Sequence, residues 1–153
     1  MKFRFRIACW AGQINYLWGK SAYRQLSEDE LKDTRFSDTV FVFGSGASIR
    51  DISTAEWNRI AACNTVSFNW FPHQNYVRID YHLIREVCSD DLRPEIWKPQ
   101  IEDYSRLIRE NSHYYKTVFV VQSDFTALNT YRLIGGRKLP IGAAFFPFRT
   151  RSR

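Results

Sequence analysis

Ten residues, Val40-Phe41-Val42-Phe43-Gly44-Ser45-Gly46-Ala47-Ser48-Ile49, constrain the fold of this chain more than any other stretch. Four apolar residues of β-branched and aromatic type read as a buried strand, here placed from Thr39 to Phe43. Gly44 and Gly46 then let the backbone turn tightly or approach a ligand with no Cβ in the way. Ser45 and Ser48 add hydroxyls beside backbone N–H groups, a receptor suited to phosphate or another anion. With no ligand, the same residues are simply a strand that ends in a turn.

Downstream residues extend the pattern. Ser53 and Glu56 have the three-residue spacing of a capping box, so a helix starts there, with Trp57, Ile60 and Ala61 on one face as anchors against a sheet. Thr65–Phe68 is a short strand ending at Asn69 and Trp70. Strand, glycine turn, short helix and strand open an α/β unit with parallel strands. Pro72 and His73 mark a loop. The pattern next predicts a strand from Tyr76 to Tyr81 and a helical turn from His82 to Val87, interrupted at Asp90, Asp91 and Pro94. A helix is expected from about Gln100 to Arg109, and Thr117–Val121 reads as a buried strand followed by Gln122, Ser123 and Asp124. Residues 135–140 break regular structure, 141–146 are apolar, and the basic tail through Arg149, Arg151 and Arg153 holds no closing strand or helix. The fold class is α/β, a Rossmann-like open sheet, mostly parallel, in an incomplete or minimal version. The expected division is a basic aromatic segment and linker over 1–38 and an α/β domain over 39–153.

The first ten residues are ambiguous. Phe3, Phe5 and Ile7 alternate with Lys2, Arg4 and Arg6, the pattern of a half-buried strand. A basic, aromatic segment could equally rest on anionic lipid, with Trp10 and Trp18 at headgroup level, or attach to a partner element. Gln25–Asp38 is polar, with Ser27 placed to cap a short surface helix ahead of the first strand. The 153 residues are 44% apolar, enough for a core, and carry 12 Phe, 8 Tyr and 5 Trp. A formal charge of +6 comes mainly from arginine, which suits an anionic substrate or membrane surface. Nucleic acid is disfavoured, since no recognition module is visible. Three scattered cysteines fit a reducing compartment better than a disulfide framework.

Open α/β sheets bind ligands at the carboxyl ends of their strands. Three groups fall there: Gly44–Ser48, Asn69 with Trp70, and Gln122–Asp124. The glycine turn is neither GxGxxG, since position 49 is Ile, nor a P-loop. Asp80 and His82, two apart on a strand, would share a face and act as a hydrogen-bonded base; Asp124 is the other candidate base. Arg50, Arg78 and Arg137 are candidates for contact with a phosphate or a carboxylate. No HExxH, HxH or DxD spacing supports a metal site, and no cofactor is expected.

FVFGSGASIRDISTAEW followed by TVSFNWF resembles the amino-terminal part of the bacterial sialyltransferase-like glycosyltransferases of surface-polysaccharide synthesis. The resemblance is firm over about Phe41–Phe71, faint to about Asp124 and absent beyond. It implies that Gly44, Ser45, Gly46, Ala47 and Ser48 surround the donor phosphate or ribose, with Asn69 near the nucleotide or transferred sugar. Ser45 stands where that family usually has Asn, Ala47 where Pro is common, and Ile49 for Leu. The later Ser-Gly and Gly-x-Asp blocks are not recognisable, and the family's catalytic histidine matches none of His73, His82 and His113. The implied function is transfer of an acidic sugar from a cytidine-monophosphate-activated donor to a polysaccharide or lipid-linked acceptor. Such an enzyme would be cytoplasmic, peripheral to the inner membrane, with an anionic membrane surface or a second copy as further partners. A non-catalytic nucleotide- or phosphate-binding module is the alternative; a pterin pyrophosphokinase-like relative is a third, disfavoured by the lack of an acidic metal cluster.

Overall fold

The computed structural model describes residues 3–44 and 46–150, at Ala47 the backbone alone. Ser45, Lys2 of the alternating start, and Arg151 and Arg153 of the basic tail lie outside the described residues. The centre is a six-stranded sheet. Its strands are β1 (Arg24–Gln25), β2 (Val40–Phe43), β3 (Asn64–Phe68), β4 (Tyr81–Ile84), β5 (Val118–Gln122) and β6 (Ala144–Phe148). They run in the order β1-β6-β5-β4-β3-β2, and every neighbouring pair is parallel. The expected α/β class with a parallel sheet is therefore observed.

Parallel strands need crossovers, and the chain supplies them as α3 (Thr54–Ala61) between β2 and β3, α4 (Pro94–Glu110) between β4 and β5, and α5 (Leu128–Thr130) between β5 and β6. α5 continues into a π-helical turn over Tyr131–Gly135. Both capping boxes form as the spacing requires. Ser53 Oγ accepts from Glu56 N while Glu56 accepts from Ser53 N at α3, and Ser27 with Glu30 does the same at α2 (Glu28–Asp33). Trp57 anchors α3, its ring 5.5 Å from Phe43 and stacked at 5.2 Å on Tyr76. Ala61, expected beside it, is exposed.

The register sorts the strands into two unlike faces. On one, Phe43, Ile84, Phe119, Val121 and Phe145 meet Trp57, Ile60, Ile101, Tyr104, Ile108, Leu133 and Ile134 in a single buried cluster. On the other lie Val40, Val42, Val66, Phe68, Tyr81, Leu83 and Val120. Val40 and Val42 on the edge strand remain 53% and 58% exposed. Leu31, Lys32 and Arg35, on and just after α2, stand against this second face and leave a cleft of about 540 Å³ above it.

Four local expectations need correction. The alternating start is not a strand: Phe3–Gly19 is one helix, α1, because its apolar residues also repeat at helical spacing and one set of them docks on the α5 turn. The strand expected over Tyr76–Tyr81 lies instead at Tyr81–Ile84, where a helical turn was expected; the ladder to Val66–Phe68 and Val118–Val121 fixes it there. Pro94 does not interrupt a helix but opens α4, where a missing N–H costs nothing. The apolar run over 141–146, given no element, contributes a strand: β6 pairs with β5 from Phe119↔Phe145 to Gln122↔Phe148 and with β1 at Arg24↔Ala144.

α1 reaches the body through glycines. A Cβ on Gly12 would lie 2.8 Å from Tyr131 Cδ2, and one on Gly135 would lie 2.9 Å from the Asn15 carbonyl carbon. Cys9 is buried in a satellite cluster with Ala127, Leu128 and Tyr131.

Candidate functional site

Because all strands are parallel, their carboxyl ends share one edge of the sheet, and the groups expected there do gather on it. β2 leaves through Gly44 and Gly46 into a 3₁₀ turn over Ala47–Asp51. A Cβ on Gly44 would meet nothing within 4 Å, and one on Gly46 only Ser48 Oγ at 3.8 Å. At Gly44 and Gly46, then, no core side chain crowds the backbone. Gly46 precedes the turn with extended backbone and no side-chain cap, and Ser48 and Arg50 are exposed beside it.

Asn69 ends the neighbouring strand on the same edge. Its φ of 43° is left-handed, a conformation that Asn tolerates better than most residues. Its Oδ1 accepts from Arg85 N at 3.0 Å and Glu86 N at 3.1 Å, stitching the end of β3 to the end of β4. The carboxamide oxygen is thereby committed, and the amide nitrogen is the donor it can offer a ligand. Trp70 follows, stacked on His73 at 5.6 Å and edge-on to Tyr104 at 5.3 Å.

The three candidate bases separate. Asp80 and His82 do share a sheet face, but each pairs across the ladder instead of with the other. Asp80 sits before β4, at the amino end: its Oδ2 accepts from Thr65 N at 2.9 Å and Thr65 Oγ1 at 3.1 Å, and Arg78 Nε donates to its Oδ1 at 3.0 Å. Arg78 is thus held at the edge opposite the glycine turn. His82 is 0% exposed. Its Nδ1 is 2.6 Å from Ser67 Oγ, its Nε2 2.6 Å from Tyr104 OH, and Ser67 Oγ is 3.0 Å from Tyr114 OH. Burial pushes the His82 imidazole down to about 3, so it is neutral, and the same burial raises the Tyr104 and Tyr114 phenols. The Asp80–His82 base pair is therefore corrected to two separate hydrogen-bonded groups, one at the wrong edge and one sealed in the core.

Asp124 lies at the carboxyl edge, after β5. Its Oδ2 accepts from Thr150 Oγ1 at 2.5 Å, Thr150 N at 3.1 Å and Gln122 Nε2 at 2.8 Å. The Thr150 hydroxyl, then Gln122, hold this carboxyl below its usual range. Three strand spacings separate β2 from β5, about 14 Å, so Asp124 and the glycine turn could meet only opposite ends of an extended ligand.

Sequence reasoning missed the residues that shape the loop after β4. Asn129 Oδ1 accepts from Val87 N at 3.0 Å and Cys88 N at 2.7 Å. Arg132 donates to Ser89 O at 2.5 Å and Asp91 O at 2.8 Å, contacts Cys88 Sγ at 3.2 Å, and stacks 4.5 Å from the Trp97 ring. Only the Asn and Arg side chains, isolated in α5 and its π turn, could have signalled this. A second feature of the carboxyl edge is a cleft of about 520 Å³ between α1 and the sheet, lined in part by Gln13, Lys20, Ser123, Tyr131 and Arg149. Arg137, the third arginine candidate, lies in the bend after the π turn with a φ of 54°.

Among the described residues no group of three or more His, Cys, Asp or Glu could hold a metal ion. No family model, curated protein or solved structure matches the chain.

Proposed function

We propose that the edge from Gly44 to Asn69 binds the phosphate and nucleoside of an activated sugar, cytidine monophosphate linked to an acidic sugar. The chain would then be a glycosyltransferase, or its donor-binding part, acting on a polysaccharide or lipid-linked acceptor. The observation that carries this reading is the open glycine turn beside Asn69 on adjacent parallel strand ends, with Arg50 exposed next to it. Backbone N–H groups at such a bend favour an anion, and an arginine beside it adds charge-assisted donors. The donor's phosphate is already a good leaving group, so charge stabilisation there is the main demand on the protein. The sequence resemblance over Phe41–Phe71 supplies the choice of cytidine donor.

A second reading, a nucleotide- or phosphate-binding module without catalysis, is favoured by one specific observation. Each of Asp80, His82 and Asp124 spends its side chain on internal hydrogen bonds, so the acceptor's base is not among them in a free state.

Calorimetry with cytidine, uridine and guanosine monophosphates tests the site. The expected result is a preference for the cytidine nucleotide, lost in Gly46→Val. Gly46 has φ −67° and ψ 152°, which valine adopts readily, so the variant keeps its fold while the side chain fills the turn. No binding of any nucleotide, or equal binding by the variant, ends the donor-site reading. Release of free sugar from the activated donor then separates enzyme from module.

A further inference from the structure

α1 is apolar on two opposite sides, and one of them stays largely exposed. Cys9, Gly12, Tyr16 and Gly19 face the body. Phe3, Ile7, Trp10, Ile14, Leu17 and Trp18 lie on the other side and are 52% to 77% exposed, Trp10 meeting the body edge-on at Phe125 with ring centroids 6.2 Å apart. At the helical repeat these six fall within an arc of about 100°, centred opposite the docked side. Arg4 and Asn15 border the arc on one flank, Arg6 and Gln13 on the other, and Lys20 follows the last turn. The helix contains no carboxylate.

We propose that this face of α1 seats the protein on an anionic lipid surface, lying in the plane of the bilayer. The aliphatic and aromatic side chains enter the boundary between headgroups and acyl chains. The two indoles sit at the level where an apolar ring with one N–H is best accommodated, and Arg4 and Arg6 extend sideways to lipid phosphates. The geometry forbids spanning: 17 residues of helix reach about 25 Å, short of a hydrocarbon core of about 30 Å. None of the helices among the described residues is long and apolar enough to cross a membrane. Charge decides between lipid and a second copy. A seam between two α1 helices would set Arg4 and Arg6 against a partner helix with no acid to answer them, whereas anionic headgroups answer both.

Co-sedimentation of the full chain with vesicles provides the test. With phosphatidylcholine vesicles containing about a third phosphatidylglycerol, the protein sediments; with phosphatidylcholine alone, or at high salt, binding falls several-fold. Ile7→Asp/Ile14→Asp reduces binding at least about tenfold, since two charges would have to enter the apolar boundary. Both positions are exposed, so circular dichroism stays unchanged. As a second readout, brominated acyl chains quench the tryptophan fluorescence of the wild type, and Trp10→Ser/Trp18→Ser abolishes that quenching. Equal binding by the double aspartate variant, absence of binding to the anionic vesicles, or a lipid-free dimer dissolved by Ile14→Asp would overturn the proposal, the last by giving the stripe to a second copy.

Discussion

His82 shows how a residue that looks chemical in sequence becomes structural in the fold. Both its ring nitrogens are taken, by Ser67 Oγ and Tyr104 OH, and burial holds it neutral, with its pKa down at about 3 from an ordinary 6.5. A folded pKa below the unfolded one means that the unfolded chain binds the proton first. Stability from this group is complete above pH 6.5 and is lost as pH falls from there toward 3, by up to about 1.4 kcal/mol per pH unit. Urea unfolding between pH 7 and pH 5 should show that decline. His82→Gln keeps one donor and one acceptor without the proton equilibrium, so its profile should be flatter over the same range, from a lower starting stability. An unchanged slope in the variant would place the acid sensitivity elsewhere.

At the scale of elements, the docking of α1 on the π turn after α5 rests on the absence of side chains. A Cβ on Gly19 would come within 2.6 Å of Gly135 Cα and strike the Ile134 carbonyl as well. Both are backbone and cannot swing aside. Gly19→Ala should therefore lower stability by about 2 kcal/mol, although alanine is the better helix former at an open position. Gly44→Ala, where a Cβ meets nothing within 4 Å, should cost far less. Chemical denaturation of the two variants side by side checks the contrast; equal losses would mean that α1 shifts to relieve the clash. The capping boxes at Ser27 and Ser53 belong to the same scale but are legible in the sequence, because a serine three residues before a glutamate is a local rule that no distant contact has to complete.

Across the whole molecule, one face of the sheet holds the large buried cluster, while α2 and the segment after it stand over the other and leave a cleft there. β3, β4, β5 and β6 each have a strand on both sides, whereas β2 stands at one margin of the sheet. Hydrogen exchange should thus be slowest in β4 and β5, whose inward residues Ile84, Phe119 and Val121 are 0% exposed, and markedly faster in β2. Protection of β2 equal to that of β5 would show its outer edge paired in solution.

The division between sequence and structure follows the range of the forces involved. Short-range signals were sufficient for the strand before Gly44, the helix capped at Ser53, the strand at Val118, the α/β class, and the placement of the glycine turn and Asn69 on one edge. The strand at Tyr81 was not legible, since His82 reads as polar until Ser67 and Tyr104 are seen to satisfy it. β6 carries Pro147 and a basic tail, and becomes a strand only because β5 and β1 offer it two edges. α1 alternates locally like a strand but also repeats at helical spacing, and its contact with Tyr131 and Gly135 accompanies the helical choice. What the chain could state alone was each segment's preferred backbone; which polar groups are left without a partner was decided when distant residues met, because hydrogen-bond satisfaction belongs to pairs.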